Sequence, residues 1–196
     1  NQITAVGMGS YHSLFLKKNG TVWGSGESSY GALGNSFPNS GSSTPLQIYS
    51  ATKAIAVGRQ HSLFLKNDGS VWGCGFNFDG QLGNGYNTSS IFKKAAISGT
   101  VIAIATESGH SLFIKNDSTV WACGSNFYGQ LGTGNRNSTS VPIKVDISGK
   151  VVAIAAGFGH SLFLKNDSTV WACGHNDNGQ LGAGGNIHEL TPVQIM

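Results

Sequence analysis

Charge is scarce in this chain. Only 11% of its 196 residues are Asp, Glu, Lys or Arg, where an average globular protein has about a quarter. The formal net charge is +3, and the adjacent lysine pairs are Lys17–Lys18 and Lys93–Lys94. A basic stripe able to grip a phosphate backbone is missing, so the composition carries no strong nucleic-acid signal. Long apolar runs are missing too: none approaches the roughly 20 residues that a membrane-spanning helix needs, and no membrane association is expected. The three cysteines, Cys74, Cys123 and Cys173, fall at equivalent places in successive copies of a repeated segment. Matched positions in neighbouring modules are held apart, so disulfides between them are not expected. Free, packed thiols lean towards a reducing, intracellular compartment and say nothing finer about location.

What is abundant is glycine, with 29 residues, and repetition. His12, His61, His110 and His160 each open an HSLF segment, at separations of 49, 49 and 50 residues. Trp23, Trp72, Trp121 and Trp171 follow those histidines by 11 positions, and each tryptophan precedes a turn motif. That motif is Gly31-Ala-Leu-Gly34 in the first copy and Gly-Gln-Leu-Gly in the others, ending at Gly83, Gly132 and Gly182. The chain therefore reads as one domain, residues 1–196, made of repeats over about 3–51, 52–100, 101–150 and 151–196.

Each repeat holds four strand-like runs. In the first, one side carries only Ala or Gly (Ala5 and Gly7, Ala54 and Ala56, Ala103 and Ala105, Ala153 and Ala155). The other side carries Val6, Ile55, Ile104 and Ile154. Alternation marks a strand, and a face of only Ala and Gly marks a place where backbones crowd. The second run, HSLFLK, puts His, Leu and Leu on one face and Ser, Phe and Lys on the other. It ends at Asn19-Gly20, Asp68-Gly69, Asp117-Ser118 and Asp167-Ser168. The first two are expected to form two-residue hairpin turns, and the Asp-Ser versions poorer ones, since serine resists positive φ. The third run is TVW or SVW. The fourth starts at Pro45, Pro142 or Pro192, with Lys93 in the second copy, and proline there suits an outer edge. Four-stranded modules with a crowded first strand describe the blades of an all-β propeller, small-residue strand inward and proline strand outward.

The pattern AxxxGxxHSLxLKxDGxVWxxGxNxxGQLG resembles the repeat of the regulator of chromosome condensation family, the RCC1-like repeats. The likeness covers essentially the whole chain, and it implies a β-propeller with one repeat per blade. Such propellers usually have seven blades. Four repeats are therefore expected to form an arc of a larger propeller, the favoured reading. The alternatives are a ring completed by self-association and a ring of four that closes on itself.

The repeated segment itself reads as scaffold. One histidine per blade in identical surroundings does not converge on a metal, so no metal or cofactor is assigned; each is expected to bond backbone within its own blade. The tryptophans are expected in packing. GxSxG, GxxxxGK[ST], HExxH and CxxC are all absent, and no enzyme activity is expected. Asp68-Gly-Ser-Val-Trp72 resembles the Asp-box of sialidase propellers. Those enzymes clamp a carboxylate with three arginines, and this chain has two, Arg59 and Arg136.

Function is then expected where the copies differ, in the loops after the first and third strands. Antiparallel order puts both on one face, where scaffold-held loops bind partners. The candidate residues are Tyr11, Glu27, Tyr30, Arg59, Gln60, Phe76, Asp79, Tyr128, Phe158, His175 and Asp177. Aromatics mixed with a few charges suit a protein-binding hot spot. Phe78 and Phe127 are expected to be buried under the Gly-Gln-Leu-Gly turn and are left out. The expected function is a non-enzymatic interaction module with a protein partner, a small GTPase or another. The family resemblance implies three sharper versions: nucleotide exchange on a small GTPase, action on a host GTPase, and inhibition of an enzyme by capping its mouth. A structural or assembly role is the remaining alternative. Exchange by the founding type uses a protruding β-wedge, and no insertion of that kind breaks these four copies.

Overall fold

In the computed structural model, which describes residues 2–34 and 41–196, every regular element is a β-strand. Sixteen strands fall into four antiparallel sheets of four. The first blade comprises β1 (Ile3–Met8), β2 (His12–Lys17), β3 (Val22–Gly26) and β4 (Ser42–Tyr49), and the second β5 (Thr52–Val57), β6 (His61–Lys66), β7 (Val71–Gly75) and β8 (Ser90–Lys94). The third runs through β9 (Val101–Thr106), β10 (His110–Lys115), β11 (Val120–Gly124) and β12 (Thr139–Lys144). The fourth holds β13 (Val151–Ala156), β14 (His160–Lys165), β15 (Val170–Gly174) and β16 (Glu189–Gln194). Strand order follows the chain in every blade. The first strands β1, β5, β9 and β13 pack side by side, as their small-residue faces require, and the proline strands lie outermost. The sheets do not close; they form an arc of a propeller, which removes the self-closing ring of four.

Register explains why the blades stack. Across three strands, Ile104, Phe113 and Trp121 are direct neighbours on one face. On the other face of the same sheet the corresponding row is Ala105, Leu112 and Ala122. A large–large–large row of one blade meets the small–large–small row of the blade before it. Phe113 thus packs with Leu63, Leu65, Val71 and Leu82, and Phe163 with Leu112, Ile114, Val120 and Leu131. Phe64, Phe113 and Phe163 are fully buried. At the two open ends the same positions are bare: Val6 is 69% exposed, Phe15 is half-buried, and Leu164 is 38% exposed.

His12, His61 and His110 join blades rather than bonding within them, a correction to the sequence expectation. His12 Nε2 lies 2.9 Å from Ser62 Oγ, and Ser62 donates its own proton to the Ala32 carbonyl at 2.8 Å. The hydroxyl must then accept from the imidazole N–H. His110, Ser161 and the Gln130 carbonyl repeat the chain at 2.9 and 2.7 Å. His61 uses Thr106 at 2.6 Å, which donates to the His110 carbonyl. The alternation was right and the partner wrong, because the acceptor sits 45 to 51 residues away. Burial holds His12 down to about 4, with Glu27 opposing, and His61 and His110 to about 3 and 4. In His61 and His110 the Nδ1 atom has no partner, so a second proton there would be an unsatisfied buried charge. The cysteines are free and buried, as expected, and burial pushes their thiols up.

The hairpin turns differ from expectation. Lys115 N–H bonds the Thr119 carbonyl at 3.0 Å and Ser118 N–H the Lys115 carbonyl at 2.9 Å. The loop therefore has three residues, and only its last, Ser118 at φ 63°, is left-handed. Gly20, Gly69 and Ser168 occupy that place in the other blades. Asp117 Oδ1 accepts from the Thr119 N–H and hydroxyl at 3.0 and 2.6 Å, and the hydroxyl in turn accepts from Trp121 Nε1 at 3.1 Å. That local network holds serine in a conformation it disfavours, and the hydroxyl and N–H donors keep the Asp117 carboxyl below its ordinary range.

Candidate functional site

Both variable loops leave the same side of the arc, and backbone hydrogen bonds tie them together in every blade. Glu27 N–H reaches the Tyr11 carbonyl, Phe76 the Gln60 carbonyl, Ser125 the Gly109 carbonyl and His175 the Gly159 carbonyl, at 2.7 to 2.9 Å. The close approach depends on the glycine that ends each third strand. At Gly124, φ is +104° and a Cβ would lie 2.3 Å from the Gly109 carbonyl oxygen, a clash that no side chain could relieve.

A buried asparagine sets the direction of the loop side chains. Asn77, Asn126 and Asn176 lie inward, and each amide oxygen accepts from a leucine N–H: Leu82, Leu131 or Leu181, at 2.8 to 3.0 Å. Their amide N–H groups donate back to the returning loop, as from Asn176 to the Gly185 and Ile187 carbonyls at 2.8 and 3.0 Å. With the asparagine fixed inward, the residue after it is exposed and the residue before it is half-buried. The flanking pairs are Phe76 and Phe78, Ser125 and Phe127, and His175 and Asp177.

Two groups of candidate residues result. At the boundary of the first two blades, Tyr30, Phe76 and Phe78 form an edge-to-face cluster with centroids 5.0 to 6.5 Å apart. Tyr11, Glu27, Tyr30, Arg59 and Gln60 line a shallow pocket beside it. At the boundary of the last two, Tyr128 packs on His175 at 4.3 Å, and His175 Nε2 lies 3.0 Å from Asp177 Oδ2. Asp79 and Phe158 belong to neither group. Phe158 is 60% exposed, and burial raises the Asp79 carboxyl above its ordinary range. The nearby Glu107 is raised for the same reason, with Arg59 opposing.

The expectation for Phe78 and Phe127 is overturned: they are 54% and 67% exposed. The turn is filled by asparagine and leucine, which leaves the rings no place beneath it. His188 is the other residue that sequence reading passed over. Its signal lay within the chain, since the corresponding residues are Ser89 and Ser138. Ser138 Oγ accepts the Asn126 N–H at 3.0 Å, and His188 Nδ1 takes the same role for Asn176 at 3.2 Å.

Comparison with known proteins agrees with this architecture. Human WBSCR16 has a solved structure that superposes with a TM-score of 0.85 at 30% sequence identity, over 98% of this chain and 52% of that one. Yeast RCC1 (Prp20), in complex with Kap60, gives a TM-score of 0.87 at 22% identity, over 100% and 49%. Prp20p from Saccharomyces cerevisiae, in a structure described with its binding properties to Gsp1p and histones, gives 0.86 at 22% identity, over 100% and 50%. The chain thus spans about half the length of these relatives. No curated protein sequence matches it. The model of the RCC1-like domain matches residues 1–196 from end to end, and the chain belongs to that family.

Proposed function

We propose that this protein is a non-enzymatic interaction module that docks a protein partner on its loop face. The observation that carries the reading is the ring cluster of Tyr30, Phe76 and Phe78, with Phe78 exposed and the other two half-buried, beside Arg59 and Glu27. Exposed aromatics held rigidly cost little conformational entropy on binding and dominate hot spots, together with arginine. Asparagine staples and paired loops supply that rigidity here. The test is affinity capture with the wild type and with Phe78→Ala and Arg59→Ala. A partner retained by the first and lost by both variants supports the reading, and equal retention by all three sinks it.

A second reading, regulation of a small GTPase, draws on family membership and on the likeness to yeast Prp20p, described with its binding to Gsp1p. Such a regulator binds a nucleotide-free GTPase more tightly than the loaded form, whereas other partners are indifferent to nucleotide. The described residues contain four strands per blade and no inserted wedge, which favours the broader reading. The uncovered faces at the two ends support self-association, because the row of exposed Val6 and half-buried Phe15 of one copy matches what the Leu164 face of another would bury. Sedimentation equilibrium of this chain tests this: a mass that stays at 20.4 kDa across the concentration range would remove it.

A further inference from the structure

His175, Asp177 and His188 stand together only in the fourth blade. The third blade has Ser125, Phe127 and Ser138 at these positions and the second has Phe76, Phe78 and Ser89, so the repeat scaffold does not require the trio. The ligand atoms of the three side chains all lie within 4.8 Å of one another. Asp177 reaches both rings, with Oδ2 3.0 Å from His175 Nε2 and Oδ1 3.7 Å from His188 Nδ1. The two imidazoles are 5.2 Å apart and inclined at 68°. Tyr128 packs against both, at 4.3 and 5.2 Å, and their side chains are only 16% exposed while Asp177 is 65% exposed. Two imidazoles and one carboxylate are therefore held by a fixed wall and open on one side to solvent.

The geometry points to a site for a divalent transition metal of the zinc class, held by His175 Nε2, His188 Nδ1 and the Asp177 carboxylate, with the Asn176 N–H giving up the Nδ1 lone pair that it now holds at 3.2 Å. Imidazole and carboxylate donors together suit zinc and its neighbours rather than calcium or magnesium, which take oxygen ligands. Three protein ligands leave at least one position open, and it faces the solvent on the loop side of the arc, where Asp177 is exposed. A water, or a carboxylate or imidazole of a docked protein, completes the shell there.

The hydrogen bonds specify how the site must rearrange. Gln180 Oε1 accepts the Asn178 N–H at 3.0 Å, so its amide N–H donates to His175 Nδ1 at 2.8 Å. His175 consequently carries its proton on Nε2, directed at Asp177. Metal at Nε2 moves that proton to Nδ1 with no net release, and the Nδ1–H then needs an acceptor where an amide N–H now stands. A carboxylate at position 180 would accept from both Asn178 and His175. Gln180→Glu therefore tightens the site, since an outer-shell carboxylate orients a metal-bound imidazole.

The test uses the whole chain, without an affinity tag that binds metal, titrated with Zn²⁺ alone by calorimetry and with Co²⁺ by visible absorption. The expected result is one saturable equivalent with the d–d bands of a four- or five-coordinate ion. His188→Ser, which restores the residue found in the third blade and the acceptor for Asn176, loses about 100-fold or more in affinity with unchanged melting. Asp177→Asn loses affinity likewise, and Gln180→Glu gains about 10-fold. Absence of saturable binding by the wild type, or equal binding by His188→Ser and Asp177→Asn, overturns the site. A Gln180→Glu variant that binds no better than wild type overturns the choice of Nε2.

Discussion

The seams between blades and the loop face above them are built from the same repeats and obey opposite rules. Every seam uses the same parts: a buried phenylalanine in a leucine-lined socket, and a histidine passing its N–H to the next blade's hydroxyl. Every boundary on the loop face is different. Tyr30 meets Phe76 at the first, Asp79 and Ser125 flank the second, and Tyr128 meets His175 at the third. A seam is one packing problem solved repeatedly, and any change in side-chain volume is felt at close-packed density. A loop tip fixed by its own asparagine meets no such demand, so its neighbours are free to diverge and to bind.

The largest expected effect exploits the seam histidines. Their folded pKa values lie below the ordinary 6.5, so the unfolded chain takes up protons first as pH falls. Stability is fully present above about 6.5 and is lost as pH falls through about 4, continuing to about 3 for His61. Each histidine contributes up to about 1.4 kcal/mol per pH unit in that window. Urea unfolding at successive pH values should show this slope, and His61→Gln should reduce it by about one proton. His160, at an open face and only partly buried, is lowered less deeply in the same direction, so His160→Gln should change the slope little.

Next in size is the socket itself. Phe113→Ala is expected to cost about 3–5 kcal/mol by leaving a cavity, whereas Phe15→Ala, at the open end, should cost less than half as much. Equal losses in thermal melts would mean that the Phe15 face is covered in solution. On the loop face, Phe158→Ala and Phe78→Ala should weaken partner binding by about 1–3 kcal/mol while leaving stability within about 0.5 kcal/mol. Loss of stability with unchanged binding would move those residues from the face to the scaffold. The smallest effect concerns the hairpins. Ser118→Gly and Ser168→Gly relieve a left-handed serine at the expense of a more flexible unfolded chain, for a net gain of about 0.5 kcal/mol each. A net loss would show that the serines make interactions beyond the turn.

Much of this was legible beforehand, and the misses have a common cause. The strands, their inner and outer faces, the crowded first strand and the common side of the two loops all followed from alternation and antiparallel order. Phe78 and Phe127 misled because a large apolar residue beside a turn is ordinarily packed into it, yet Asn77 and Asn126 occupy the inward position. The hairpins misled because Asn-Gly and Asp-Gly favour two-residue loops, while here the aspartate or asparagine side chain caps a three-residue one. His188 went unnoticed because it lies 12 residues beyond Asn176, across a returning loop.

By itself the sequence determined the blade: its length, its four strands, which face of each carries Leu and which carries Phe, and the family to which the repeat belongs. Those features are local, since side-chain alternation and turn chemistry act over a few residues. Only the tertiary structure decided which blade each histidine bonds, which loop aromatics reach solvent, and that His175, Asp177 and His188 converge. Such contacts join segments many residues apart, and their geometry depends on how one sheet is set against the next.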